Sequence, residues 1–125
     1  MTFDEMGEML DDIAMEIPEA FYEKLNGGIV LLPEMKVHPS AKGEDLLIMG
    51  EYRRDALMGR YIAIYYGSFA RAHGMAAPEQ MRERLRKTLL HEFTHHMESL
   101  AGERGLEKKD EAFMERYHER EKRGT

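Results

Sequence analysis

The chain has 125 residues, a formal net charge of −6 and no cysteine. Its length suits one compact domain, so we predict a single domain over residues 1–125. The lack of cysteine excludes disulfides, thiolate nucleophiles and cysteine-ligated metal sites, so any metal must bind to His, Asp or Glu. The negative charge disfavours a nucleic-acid partner, because phosphate binding needs a clustered basic surface.

The beginning of the sequence carries no recognisable targeting signal. Residues 1–12 contain several acids instead of a basic region followed by an apolar run. No apolar stretch approaches the ~20 residues that are needed to span a bilayer. We therefore expect a cytoplasmic protein with no membrane partner.

The first part of the sequence has the apolar spacing of a helix. Apolar residues recur every three or four positions, namely Phe3, Met6, Leu10, Ile13 and Ile17. This spacing predicts a helix with one buried face, and Thr2 can cap its start. Pro18 ends this helix or begins a second short one, since proline fits the first turn of a helix better than its interior.

Three segments after the turn at residues 26–28 have the composition of strands. They are residues 29–32, 46–52 and 61–66. The residues between the second and third segments predict a hairpin-like connection. Together the segments predict a small sheet of three or four strands, with helices covering at least one of its faces.

The best helix of the chain is predicted from Pro78 to about residue 100. This segment has no internal glycine or proline and is rich in strong helix formers. Gly102 and Gly105 are expected to break it, and residues 106–120 are predicted to form a final helix. Helices that precede and follow the strand segments along the chain favour an α+β fold. We expect the sheet to pack on the N-terminal helices and on the long helix.

The long helix contains an H-E-x-x-H motif, formed by His91, Glu92, Phe93, Thr94 and His95. Residues four apart lie on one face of a helix, about one turn from each other, so two imidazoles can reach a single zinc ion. The glutamate lies beside the metal without ligating it. From there it can take a proton from a metal-bound water, whose pKa the zinc lowers. The motif therefore predicts a zinc site with Glu92 as general base.

The apolar pattern of the helix agrees with this interpretation. Four apolar side chains share one face, namely Leu89, Phe93, Met97 and Leu100. His91 and His95 fall on roughly the opposite face, where they can line a cleft. The competing interpretation is a pair of solvated histidines on the polar side of the helix. His96 lies away from this pair, and we expect it not to touch metal.

A catalytic zinc usually has three protein ligands and an open position. The metzincin pattern places its third histidine where this chain has Ala101, which excludes classical metzincin membership. We favour Asp110 as the third ligand, because the chain can turn back toward the cleft after the glycines. Glu98, on the helical face of the two histidines, is the second candidate. Two further acids are less favoured candidates, namely Glu111 and Glu115.

Several segments together resemble the bacterial zincin-like peptidases with a minimal metalloprotease-like domain. These segments are residues 16–18, the strand after Asn26, and residues 47–52, 61–67 and 91–96. The resemblance implies a compact α+β zincin fold, a short sheet above the active-site helix, and zinc as the metal. Many members have a glycine after the histidines and an acid soon after it. Here Glu98 replaces the glycine, and residues 99–105 form an extra stretch before Asp110.

We therefore predict a zinc-dependent metallopeptidase that hydrolyses a peptide or unfolded protein. A tyrosine among Tyr52, Tyr65 and Tyr66 could also donate to a developing oxyanion, although tyrosines in strands more often serve packing. The alternative from another class is a metal-stabilised, noncatalytic peptide-binding or chaperone-like module with the same fold. Loss of hydrolysis with retained zinc in Glu92→Gln distinguishes the two.

Overall fold

The computed structural model of the protein describes residues 1–43 and 46–104. Helix α1 spans Phe3–Glu16 and is followed by a 3-10 turn at Glu19–Tyr22. The strands are β1 (Gly28–Leu32), β2 (Lys36–Val37), β3 (Leu47–Ile48), β4 (Gly50–Asp55) and β5 (Gly59–Tyr65). Helix α2 spans Tyr66–His73, and helix α3 spans Pro78–Arg104. The helix predicted at residues 106–120 lies outside the described residues.

Helix α1 begins where the sequence predicts it. The Thr2 hydroxyl accepts a hydrogen bond from the Glu5 backbone N–H at 3.1 Å, and the Glu5 carboxylate accepts one from Thr2 N–H at 2.7 Å. This reciprocal capping satisfies two N–H groups that lack a partner within the helix. Of the apolar residues that predicted this face, Met6, Leu10, Ile13 and Ile17 lie in the core, whereas Phe3 is exposed and its ring contacts the edge of Tyr66.

The main sheet has three strands in the order β1-β5-β4, with β1 parallel and β4 antiparallel to β5. Strands β2 and β3 form a separate antiparallel pair. The strand predicted over residues 46–52 is therefore wrong as a single element. Leu47 and Ile48 pair with β2, whereas the chain from Gly50 onward pairs with β5. The two parts thus belong to different sheets.

The strand predicted over residues 61–66 ends one residue early, because Tyr66 begins helix α2. The sequence did not predict this helix, since its aromatic start has the composition of a strand. Tertiary contacts favour the helix: Phe69 is fully buried, and Gly67 N–H donates to the Glu34 carbonyl at 3.1 Å. A side chain at Gly67 would meet the backbone of Met35 at 2.5 Å, so glycine is required at this approach.

The core lies between α1, α3 and one face of the main sheet. From the sheet it contains Ile62 and Ile64, and from α3 it contains Leu85, Leu89, Leu90 and Phe93. This arrangement of helices against a small sheet is the predicted α+β fold. No helix in residues 1–43 and 46–104 is long and apolar enough to cross a membrane.

The prediction that Gly102 breaks the long helix is wrong, because α3 continues through Gly102 to Arg104. No atom of residues 1–43 and 46–104 lies within 4 Å of the position that a Gly102 side chain would take. Glu103, one residue later, forms ion pairs with Arg54 at 2.8 Å and with Arg60. These pairs connect the last turn of α3 to the sheet and offset the low helix propensity of glycine.

Gly50 allows strand β4 to lie close to helix α3. A Cβ atom at this position would lie 2.9 Å from Thr88 Cγ2 and 3.2 Å from the Ala63 carbonyl oxygen. The approach brings the edge of the sheet directly over the helix that carries the H-E-x-x-H motif.

We expect Gly50→Ala to destabilise the protein by about 1–3 kcal/mol, because the added methyl overpacks the contact between β4 and α3. The matched control is Gly7→Ala in α1, where the nearest atom to the added methyl is Leu31 Cδ2 at 3.9 Å. Replacing that helical glycine should stabilise the protein by about 0.5–1 kcal/mol. Denaturant unfolding measures both changes, and a Gly50→Ala protein as stable as the wild type would contradict the close approach.

Candidate functional site

Helix α3 places the His91 and His95 side chains next to each other. Their Nε2 atoms are 3.2 Å apart, and the two rings meet edge to face with centroids 4.7 Å apart. Both residues are exposed, so a ligand can reach these nitrogen atoms from solvent. The structure thus brings together the two histidines that the motif predicts as zinc ligands.

The distance between the two nitrogen atoms fits a shared metal ion. Two ligands on a tetrahedral zinc, each with a Zn–N distance of about 2.0–2.1 Å, are separated by roughly 3.3 Å. The same distance also permits an N–H···N hydrogen bond between a donor ring and an acceptor ring when no metal is bound. The geometry therefore suits two of the three ligands of a catalytic zinc.

Of the candidate third ligands, the structure describes Glu98 alone. Glu98 approaches His95 at 3.9 Å, but it does so at Nδ1, the ring nitrogen that does not face His91. Within residues 1–43 and 46–104, no three His, Asp or Glu side chains form a group that could hold a metal. Asp110, like Glu111 and Glu115, lies outside the described residues.

Glu92 lies one position from His91, yet only 6% of it is exposed. Burial raises the pKa of its carboxyl group above the ordinary value, and the neighbouring Glu51 charge acts in the same direction. His95 and a hydrogen bond from the Tyr52 backbone N–H oppose this shift without cancelling it. Glu92 is therefore a buried carboxyl group beside the two imidazoles, held by the edge of the sheet.

These groups line one open cleft with a volume of about 690 Å³. Strand β4 and the end of β3 form one wall, with Ile48, Gly50, Glu51 and Tyr52. Helix α3 forms the other wall, with His91, Glu92, His95, Glu98 and Ser99. The cleft thus places a strand edge opposite the candidate metal ligands and the candidate base.

At the rim of the cleft, Glu51 is the centre of a charged cluster. Its Oε1 atom accepts hydrogen bonds from the Tyr65 hydroxyl at 2.6 Å, from Arg53 at 3.2 Å and from the Lys36 ammonium group. These partners lower the pKa of Glu51 in spite of its partial burial. Glu51 is therefore ionised over the physiological range and supports the raised pKa of Glu92.

The three tyrosines that the sequence offers as oxyanion donors already have hydrogen-bond partners. The Tyr65 hydroxyl donates to Glu51, and the Tyr66 hydroxyl donates to the Met1 carbonyl at 2.6 Å. The Tyr52 hydroxyl lies 2.8 Å from Nδ1 of His96. Tyr52 therefore contributes its backbone N–H to the site, through Glu92, and not its hydroxyl.

His96 lies away from the His91 and His95 pair, in agreement with its predicted position on the helix. It is fully buried, and its Nε2 atom lies 2.7 Å from the Glu23 carbonyl oxygen. Sequence reasoning missed these contacts, because Glu23 is 73 residues away along the chain. The sequence offered one signal for these contacts, the second histidine directly after His95. If such a histidine is buried, it needs hydrogen-bond partners of its own.

Together these features define an α+β protein with an H-E-x-x-H helix beneath the edge strand of a small mixed sheet. The chain is 34% identical to a conserved hypothetical protein from Thermo thermophilus of known structure, with a TM-score of 0.68. The match covers 82% of this chain and 99% of that one, so this protein belongs to the same family. No family model matches the sequence. No curated protein matches it either.

We expect His96 to make the metal-free protein less stable as the pH falls below about 6.5. Burial and the nearby Arg60 charge lower the pKa of His96 below 6.5, against the opposing effect of Glu23. The unfolded chain therefore binds one more proton than the folded chain between the unfolded pKa and the lower folded pKa. Within this window, each pH unit of acidification lowers the free energy of unfolding by up to about 1.4 kcal/mol.

His96→Gln keeps a hydrogen-bond donor and acceptor but does not titrate, so the wild type should lose stability relative to this variant on acidification. Denaturant unfolding in the presence of a chelator, between about pH 5 and pH 8, gives the difference. His73, whose pKa is also lowered by burial, is present in both proteins and cancels. A difference that stays constant with pH would mean that His96 is not held neutral.

Proposed function

We propose that this protein is a zinc-dependent metallopeptidase in which His91 and His95 bind the metal and Glu92 is the general base. The observation that carries the proposal is the pair of imidazole Nε2 atoms 3.2 Å apart beside a buried carboxyl group in an open cleft. This combination supplies two metal ligands, a proton acceptor and room for a substrate. The resemblance of the sequence to zincin-like peptidases supports the same conclusion.

We propose Asp110 as the third ligand. Glu98 approaches His95 from the Nδ1 side, away from the point where the two Nε2 atoms converge. Arg104 lies nine residues beyond His95, about 14 Å along the helix axis. The six residues from Arg104 to Asp110 can span up to about 21 Å, which is enough to return to the histidines if the chain reverses direction.

Bound zinc would supply a Lewis acid that polarises a peptide carbonyl and lowers the pKa of water beside it. The protein supplies the proton acceptor. Burial raises the pKa of Glu92 above its ordinary value, and a carboxylate with a higher pKa accepts a proton from water more readily. The hydrogen bond from Tyr52 N–H fixes the carboxylate, so that it faces the cleft next to His91.

We propose that the substrate is an extended peptide or an unfolded protein segment that adds to the outer edge of β4, the last strand of the main sheet. At the start of this strand, Tyr65 N–H donates to the Met49 carbonyl at 2.9 Å. Hydrogen bonds alternate along an antiparallel strand, so the backbone groups of Gly50, Tyr52 and Arg54 point to the outer edge. The Tyr52 N–H already donates to Glu92, so a peptide would pair with Gly50, Arg54 and the Tyr52 carbonyl. Main-chain hydrogen bonds to this edge would hold a peptide across the cleft.

We expect the protein to bind about one zinc ion per chain, and His91→Ala and His95→Ala to weaken zinc binding by roughly 100-fold or more. Elemental analysis and titration with a competing chelator measure stoichiometry and affinity. The matched control is His38→Ala, which removes an exposed histidine outside the cleft. In the same titration Asp110→Ala should lose more affinity than Glu98→Ala.

The reverse order of the last two variants would move the third ligand to Glu98. A folded wild-type protein that takes up no zinc, with His91→Ala indistinguishable from it, would remove the metal centre from the proposal.

We expect Glu92→Gln to retain the fold and the zinc while its cleavage of an unstructured peptide falls by at least about 100-fold, since the amide cannot accept the proton. The control is Glu79→Gln, which changes an exposed glutamate on the same helix and should keep full activity. Turnover of a peptide that the wild type cuts is the measurement. Equal cleavage by wild type and Glu92→Gln would exclude Glu92 as the base. A zinc-loaded wild type that binds peptides but cuts none would favour the noncatalytic binding module.

A further inference from the structure

A line of hydrogen bonds runs beneath the cleft from Arg60 to the loop after the 3-10 turn. Arg60 lies 3.4 Å from the Tyr52 hydroxyl, which lies 2.8 Å from His96 Nδ1. His96 Nε2 in turn lies 2.7 Å from the Glu23 carbonyl oxygen. The hairpin of β4 and β5 and the loop after the 3-10 turn thus meet helix α3 at one fully buried imidazole.

The direction of each hydrogen bond in this line is fixed by chemistry. A backbone carbonyl can only accept, so the proton of neutral His96 must be on Nε2. Nδ1 is then an acceptor, and the Tyr52 hydroxyl donates to it. The hydroxyl oxygen of Tyr52 is left to accept from the Arg60 guanidinium group. Every group in the line therefore has its partner, and no alternative orientation satisfies all of them.

Tyr52 also contacts Glu92, through its backbone. The Tyr52 N–H donates to the Glu92 carboxylate, while its side chain is held by His96 one helical turn further along α3. Positions 92 and 96 lie on the same side of the helix, under the edge strand. A single residue of β4 is thus attached to α3 at two points, and one of these points is the candidate base.

Arg60 closes the arrangement at its other end. Its guanidinium group donates to the Ser99 hydroxyl at 3.0 Å and pairs with Glu103, although the Arg60 side chain is only 10% exposed. Ser99 and Glu103 continue the same side of α3 beyond His96. Arg60 therefore connects the start of β5 both to the Tyr52 hydroxyl and to the turns of α3 that follow His96.

We propose that Tyr52 and His96 are positioning residues, which hold the Tyr52 backbone N–H against the Glu92 carboxylate. The inference rests on the proposed function in so far as Glu92 is the base, but the positioning itself does not depend on catalysis. Without the His96 anchor, β4 keeps its pairing to β5 and loses its fixed distance to Glu92. The carboxylate then has no fixed orientation toward the cleft.

The first test measures the contact in the metal-free protein. In Tyr52→Phe the backbone N–H at residue 52 should exchange with solvent at least about tenfold faster than in the wild type. The Tyr65 N–H, which donates to Met49 at the start of the same strand pair, serves as internal reference and should not change. The matched control is Tyr22→Phe, which removes a tyrosine hydroxyl that donates to Ala14 at 2.6 Å, away from β4.

Amide exchange by NMR separates positioning from general destabilisation. A loss of global stability accelerates exchange at residues 52 and 65 alike, whereas a lost anchor accelerates it at residue 52 alone. Equal acceleration at both residues, or none at residue 52, would overturn the proposal. A second pair of variants gives the same test: His96→Gln, which retains a donor and an acceptor, should keep more protection at residue 52 than His96→Phe.

The second test uses the zinc-loaded protein and a peptide that the wild type cuts. Tyr52→Phe should lower kcat about tenfold while KM and zinc affinity remain within about twofold, because only the orientation of the base changes. His96→Gln should retain more of kcat than His96→Phe. Unchanged kcat in Tyr52→Phe, or a parallel change in KM, would contradict the positioning role. An inactive wild type would refute the proposed function alone, since the exchange experiment decides the positioning independently.

Discussion

The close contact between the edge strand β4 and helix α3 is the feature on which the rest of the site depends. Gly50 permits it, because any side chain at this position would collide with Thr88. The contact buries Glu92 while the histidine one position earlier stays in solvent. A carboxyl group, two imidazoles and the outer edge of a strand therefore meet in one cleft, although α3 alone would present its own side chains to water.

Burial changes the chemistry that each side of the helix can perform. On the exposed side, His91 and His95 lie in solvent, where the proposed metal would bind. On the side under β4, desolvation raises the pKa of Glu92 and lowers that of His96. A carboxyl group with a raised pKa and a histidine with a lowered pKa thus come from the same low-dielectric contact.

Local patterns predicted a large part of the fold. The apolar spacing and the Thr2 cap located α1, because a capped amphipathic helix needs only neighbours along the chain. Sequence reasoning failed where the structure of a segment depends on the distant strand or loop that it contacts. Residues 46–52 divide between two sheets, and Tyr66 begins a helix because Gly67 fits against Glu34. A glycine at position 102 did not end α3, since ion pairs from Glu103 connect that turn to the sheet.

By itself, the sequence determined the spacing of the two histidines and the place of Glu92 between them, because helical geometry brings residues four apart to one face. It also determined that His96 points elsewhere. Only the tertiary structure decided what lies opposite each of these side chains. Tyr52 is 44 residues from His96, and Glu23 is 73 residues from it. Contacts over such separations depend on how the strands order in the sheet, and no local period in the sequence encodes that order.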